Sequence, residues 1–278
     1  MQWYGKLPAG VAVVVALCTA LQVLNTFFTV PGCLSGASWL SRPFTQVYTF
    51  IMNHFLHTGW IHLIFNMLAF VPFAGYQERN MGTYPMLHLV LLLGVATSAI
   101  YVVLTFLFGF LFKGLWVGCV AGISGVVFAL ISLEANKGDL QTQDFFGLKI
   151  PGSMFPWFLI IVTQFLFMGS SFFGHLSGIF AGILYAQGIL DKAFPSPSYF
   201  HRLESTPFFA FIHGLPNFIP QPGGISLPSY NATPLSTVSP TTTYYQRSSY
   251  QGYGAVGGNA PGQNSSQDQT ALMSDRDI

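Results

Sequence analysis

Of the chain's 278 residues, 51% are hydrophobic, 16% aromatic and only 7% charged. A soluble domain carries about 25% charged residues, so lipid rather than water is the natural solvent for most of this sequence. A net charge of +1 provides neither a basic field for nucleic acid nor an acidic one for cations. The three cysteines, Cys18, Cys33 and Cys119, lie far apart, and two of them fall in apolar runs. That is the pattern of neither a disulfide framework nor a zinc site.

Apolar stretches long enough for the roughly 20 residues that cross a bilayer predict six spans, at about 9–30, 47–74, 84–112, 115–133, 154–170 and 172–192. Helix is the expected state of each, because backbone in lipid must satisfy its own hydrogen bonds. The first follows Lys6 and exceeds the roughly 7–15 apolar residues of a cleaved signal. No Arg- and Ser-rich presequence precedes it, which argues against mitochondrial import. Turns are predicted at Pro31-Gly32, Glu78-Arg79-Asn80-Met81-Gly82, Lys113-Gly114, the polar run Glu134 to Asp144, and Gly169-Ser170-Ser171. With the N-terminus in the cytosol, Lys6, Arg79, Lys137, Lys149, Lys192 and Arg202 lie on the cytosolic side and only Arg42 and Lys113 opposite. Positive charge accumulates on the cytosolic side, so both termini are placed there.

From about residue 195 the chain turns to Pro, Ser, Thr, Gln, Gly and Tyr with little apolar periodicity. Residues 1–195 are therefore read as the membrane core and 196–278 as a mostly disordered cytosolic tail. Asn231-Ala232-Thr233 and Asn264-Ser265-Ser266 match glycosylation sequons, which a cytosolic tail leaves unmodified. Phe208–Phe218 is apolar enough to lie on a membrane surface or dock a partner; a sticky linker is the alternative reading.

Polar and ionisable groups inside spanning helices point to function by default. One cluster, His54, His57, His62 and Asn66, opens the second span, with His62 and Asn66 four apart on one helical face. Gly122-Ile123-Ser124-Gly125 lies near the start of the fourth span, and Gly174-His175-Leu176-Ser177-Gly178 early in the sixth. Each has an ordinary explanation. A serine between glycines permits close packing, His175 and Asn66 can act as interhelical hydrogen-bonding groups, and His54 and His57 read as structural or interfacial. All three clusters, however, fall at the same, non-cytosolic end of their helices. A serine hydroxyl needs a base, and histidine titrates in the right range. Ser124 is thus the candidate nucleophile and His175 the candidate base, with His62, Asn66 and the Ser124 amide as candidate oxyanion donors. His175, Gly178, Gly182 and Ala186 form a stripe that lets the fourth and sixth spans approach closely. Other chemistries lack their residues: Val126 replaces the last glycine of G-x-S-x-G, no H-E-x-x-H is present, and no paired intramembrane aspartates exist. No metal or other cofactor is expected.

The combination of His57-x4-His62-x3-Asn66, Gly122-Ile123-Ser124-Gly125 and Gly174-His175-x2-Gly178-x3-Gly182 resembles the rhomboid family of intramembrane serine proteases over roughly residues 1–195. The resemblance implies an all-α, six-transmembrane-helix bundle with a Ser124–His175 dyad, no acidic third member, and an oxyanion hole drawn from His62, Asn66 and Ser124. It further implies packing roles for Gly122, Gly125, Gly178 and Gly182 and a structural role for His57. Glu78-Arg79-Asn80-Met81-Gly82 looks like the family's acidic-basic-glycine turn. Phe128 stands where many members have a tyrosine stacked on the catalytic histidine, and Tyr48-Thr49 where they have Trp-Arg. Six spans followed by a polar tail are similar to the fungal rhomboids of the Golgi and endoplasmic reticulum, which implies one of those membranes and single-pass membrane proteins as substrates. Some of those proteins recruit a cytosolic AAA ATPase through a tail motif that Pro222-Gly223-Gly224-Ile225-Ser226-Leu227 matches in part; a flexible turn is the other reading. Two alternatives to proteolysis are a non-catalytic binder of membrane clients for quality control and a small transporter, the latter opposed by the lack of an internal repeat.

Overall fold

A computed structural model describes residues 6–166, 170–207 and 210–222. The turn at Gly169, the sequons and Gly223–Leu227 of the tail motif lie outside the described residues. The long helices are α1 (Ala9–Phe27), α5 (Trp60–Met81), α6 (Thr83–Phe108), α8 (Ser124–Lys137), α9 (Phe155–Leu166) and α10 (Phe172–Ala186). Short helices α2 (Gly36–Ser41), α3 (Pro43–Gln46) and α4 (Thr49–Phe55) fill the connection from α1 to α5, and α7 (Lys113–Val117) precedes α8. Two more, α11 (Pro197–Glu204) and α12 (Ala210–His213), follow α10.

The centre of the bundle is α8, where every residue from Gly125 to Ala135 is buried. A helix apolar on all faces belongs inside a protein. It packs most extensively against α10, with α5, α6 and α9 around the pair. The outer surface carries Leu17, Ile61, Leu68, Leu91, Val103, Ile161 and Phe165 exposed, an apolar coat suited to lipid. Among the described residues, α1 and α6 are each long and apolar enough to cross a bilayer alone. The stretches Pro43–Phe55 with Trp60–Met81, and Phe172–Ala186 with Asp191–Glu204, qualify as bent pairs, at 76° and 88°.

Three expectations require correction. The second and fourth spans, predicted as continuous from 47 and 115, are broken at 56–59 and 118–123. Gly59, Gly118 and Gly122 interrupt the helices there, and irregular backbone survives at membrane depth when it is buried or lines a cavity. The polar run to Asp144 continues into an antiparallel hairpin, β1 (Gln143–Phe145) with β2 (Leu148–Ile150), so the chain is mostly rather than entirely helical. The tail boundary at 195 also falls too early. Phe200 and Ile212 bury with Tyr84, flanked by Leu203, Leu215 and Phe218. The Thr83 amide donates to the Ile219 carbonyl at 2.8 Å and the Ile219 amide to Thr83 Oγ1 at 3.0 Å. Ile212, Leu215 and Phe218 of the apolar stretch predicted at Phe208–Phe218 therefore pack on the chain's own core.

Beneath that strap, Glu78 is completely buried. Its carboxylate accepts from the amides of Gly10 at 2.7 Å and Val11 at 2.8 Å, and from the Thr83 hydroxyl at 2.7 Å. A helix leaves its first four amides without intrahelical acceptors, and Glu78 supplies one to α1 from a helix nearly 70 residues away in sequence (|i−j| = 68 and 67). Only Gly82 forms the turn from α5 to α6; Glu78 to Met81, predicted within the turn, are helical.

Candidate active site

Ser124 is the first residue of α8, His175 lies in the first turn of α10, and His62 and Asn66 lie in the first two turns of α5. These helix starts share one end of the bundle. His175 Nε2 is 3.0 Å from Ser124 Oγ. The ring of Phe128, one turn along α8, stacks on the imidazole with centroids 4.4 Å apart and planes 23° from parallel. On the other ring nitrogen, Thr163 Oγ1 of α9 lies 3.4 Å from His175 Nδ1 while donating to the Ile160 carbonyl at 3.1 Å. His175 is buried and Ser124 half-buried.

Backbone contact between α8 and α10 makes this approach possible. A Cβ on Gly178 would collide with the Gly125 carbonyl, and one on Gly182 with the Ala129 carbonyl. Ser132 Oγ donates to the Ile179 carbonyl across the same seam at 3.0 Å. Gly125 sits under Thr97, whose methyl would lie 2.8 Å from an added Cβ. Small residues thus bring the two backbones together as they do in membrane helix pairs.

The segment leading into Ser124 is held from three sides. The Gly122 amide donates to the Asn53 carbonyl at 2.7 Å, and Val120 pairs with Leu34 through two hydrogen bonds of 2.9 Å. His57 Nε2 faces the Ile123 amide at 3.5 Å, the outer limit of such a contact, and His57 itself is buried. Gly122 adopts φ +128°, where glycine is favoured, and an added Cβ would come within 2.8 Å of His62 Cε1, 3.1 Å of His62 Nε2 and 3.8 Å of Asn66 Nδ2. The His62 ring and the Asn66 amide therefore face the same turn that presents the Ser124 backbone. His62 Nδ1 contacts Thr58 Oγ1 at 3.1 Å, and Asn66 Nδ2 donates to the His62 carbonyl at 2.9 Å.

A cavity of about 330 Å³ adjoins the pair, lined on one side by His62, Gly122, Ser124 and His175 and on the other by Asn53, His54 and Ser98. His54 and His57, read as structural, make no contact with His175: His54 Nε2 donates to the Gly94 carbonyl at 2.8 Å, and the His57 ring meets His62 edge-on with centroids 5.3 Å apart. Asn53 and Ser98, 3.0 Å apart, escaped the sequence reading, as did Thr163, since nothing in their spacing marks them. The cysteines overturn another expectation. Cys33 and Cys119 are disulfide-bonded with Cα atoms 5.5 Å apart, and Cys18 is free and buried.

Fold and site together define a helical membrane protein with a hydrogen-bonded serine and histidine at one end of its bundle. The family model of the rhomboid domain matches residues 45–192. The chain is 31% identical over 245 residues to Rhomboid-like protein 15 of Arabidopsis thaliana, covering 83% of this chain and 60% of that one. It is 30% identical to Rhomboid-type serine protease 2 of Debaryomyces hansenii over 72% of this chain and 74% of that one. To Rhomboid protease GlpG of Yersinia pseudotuberculosis the identity is 27%, covering 62% and 60%. This chain belongs to the rhomboid family. It spans 60% of the Arabidopsis protein and 44% of mouse Rhomboid-related protein 4.

Proposed function

We propose that this chain is an intramembrane serine endopeptidase that cleaves single-pass membrane proteins near the lumenal end of their helix. The observation that carries the reading is the 3.0 Å contact between Ser124 Oγ and His175 Nε2 beside a cavity that Asn53, His54, His62 and Ser98 also line. With the Thr163 hydroxyl donating to Ile160, its lone pair faces His175 Nδ1–H, a tautomer that leaves Nε2 free to accept. His175 takes the serine proton as Oγ attacks the scissile carbonyl, then passes it to the leaving amine; water later releases the acyl group by the reverse path. The oxyanion forms beside the Ser124 amide, which has no acceptor within α8 because it opens the helix. Asn66 Nδ2 supplies a second donor. His62 Nε2 supplies a third, protonated when the Thr58 hydroxyl donates to Nδ1. Removing one such donor typically costs about 2.7–4 kcal/mol of transition-state stabilisation.

Substrate enters between α5 and α9, the latter an apolar helix on which Trp157, Ile161 and Phe165 are exposed, and small or helix-breaking residues favour the unwinding that attack requires. The bias of positive charges near the helices supports both termini in the cytosol, and the likeness of six spans with a polar tail to fungal rhomboids supports the Golgi or endoplasmic reticulum membrane. The Cys33–Cys119 disulfide at the Ser124 end supports that end as lumenal, because disulfides persist in oxidising compartments. The test is cleavage of a single-pass substrate in liposomes by wild type and Ser124→Ala. Cleavage only by wild type is expected. Equal cleavage by the variant refutes the mechanism, and binding without cleavage by wild type favours the client-binding reading.

A further inference from the structure

Cys33 and Cys119 occupy a place that a merely stabilising cross-link would not need. Cys33 is on a fixed post. Its neighbour Gly32 packs so closely on α4 that an added Cβ would lie 2.7 Å from Leu56 Cδ1 and 3.0 Å from Met52 Cβ, and Leu34 on its other side is buried. Cys119 stands five positions before Ser124 and lines the same cavity as Ser124 and His175. Between them, the backbone of 120–123 presents the turn that faces His62 and Asn66. Apart from the disulfide, that segment is tied by the isolated Val120–Leu34 bridge, the Gly122–Asn53 hydrogen bond and the long 3.5 Å contact of the Ile123 amide with His57 Nε2, and an isolated strand pair is marginal by itself.

We infer that the Cys33–Cys119 disulfide positions the oxyanion turn, and that its reduction by a dithiol disarms the enzyme reversibly; the inference rests on the serine-protease reading above. Both half-cystines are exposed, so a soluble thiolate reaches either sulfur. Attack breaks the protein S–S bond and forms a mixed disulfide. The reductant's second thiol then displaces the remaining cysteine, leaving as a cyclic disulfide while two electrons and two protons end on Cys33 and Cys119. Untethered, residues 119–123 shift relative to His62 and Asn66. Misplacement of about 1 Å at such a site can cost about 100-fold in rate. Cys33 and Cys119 are positioning residues: they act through the turn and do not touch the reacting atoms.

The experiment uses the full chain in liposomes, with a fluorophosphonate probe and a transmembrane peptide substrate. Reduction with dithiothreitol should expose two alkylatable thiols beyond Cys18, lower the labelling rate and kcat by about tenfold with KM unchanged, and be undone by reoxidation. Cys33→Ser/Cys119→Ser should sit at the lower rate and ignore dithiothreitol; if that variant fails to fold, the reversible wild-type measurement decides alone. A labelling rate that stays constant while both thiols are alkylated overturns the inference, even if the melting temperature falls, because that is the behaviour of a structural staple. Free thiols at Cys33 and Cys119 in protein prepared under oxidising conditions overturn it as well. A folded, oxidised wild type that never labels defeats the protease reading, and this inference with it.

Discussion

At the Glu78 end of the bundle the polar backbone is closed off; at the Ser124 end it is kept open. The first amides of α1 end on a buried carboxylate, Gln77 and Glu134 pair at 3.3 Å, and residues 217–221 cover the turn into α6. At the opposite end two spans are broken, α8 begins with an amide that the helix itself leaves unsatisfied, and a cavity of about 330 Å³ lies beside it. A buried polar group without a partner costs about 1–3 kcal/mol. At the Glu78 end that cost is met for the first backbone amides of α1, whereas the start of α8 leaves its own open on the reading proposed above. Stability and chemistry are thereby separated along the helix axes, and substitutions at the two ends should differ in what they damage.

The largest effect belongs to the open end. His175→Ala removes the base and should lower kcat at least about 10⁴-fold, with the folded fraction unchanged by denaturant titration. Next comes Glu78→Ala, which strands two amides and a hydroxyl in a buried place and should destabilise the fold by about 3 kcal/mol or more. The variant that remains folded should label at its serine at close to the wild-type rate; a specific loss of kcat would break the division between the ends. Asn66→Ala should cost about 100-fold in kcat, or about 2.7 kcal/mol of transition-state stabilisation, with KM little changed. The smallest effect is expected from Thr163→Val. It keeps the side-chain shape but removes the lone pair facing His175 Nδ1, and should slow peptide cleavage by about three- to tenfold. A larger loss in Thr163→Val than in Asn66→Ala would mean that orientation of the base, rather than the oxyanion turn, dominates.

Much of the core was legible because lipid imposes a crude rule. The stretches predicted at 9–30 and 84–112 became α1 at Ala9–Phe27 and α6 at Thr83–Phe108. The same rule hid the broken spans: Leu115 to Ala121 is apolar enough to read as helix in lipid, yet from Gly118 onward it is the irregular segment that delivers Ser124. Ser124 and His175 were visible because glycines must flank them for α8 and α10 to touch. Asn53, Thr163 and the Cys33–Cys119 pair were silent. Their roles arise from contacts across 69, 12 and 86 positions of sequence, which no local period encodes. The strap was missed for the same reason, since Tyr84, Phe200 and Ile212 are apolar partners only after three distant segments meet.

The most direct test of the central claim is active-site labelling of the purified chain in liposomes with a fluorophosphonate, comparing wild type with Ser124→Ala and His175→Ala. An assembled nucleophile and base predict labelling of wild type, none of Ser124→Ala, and a rate for His175→Ala reduced by orders of magnitude. A well-folded wild type that does not label, or a Ser124→Ala protein that labels equally, would contradict the account and reduce the pair to packing residues.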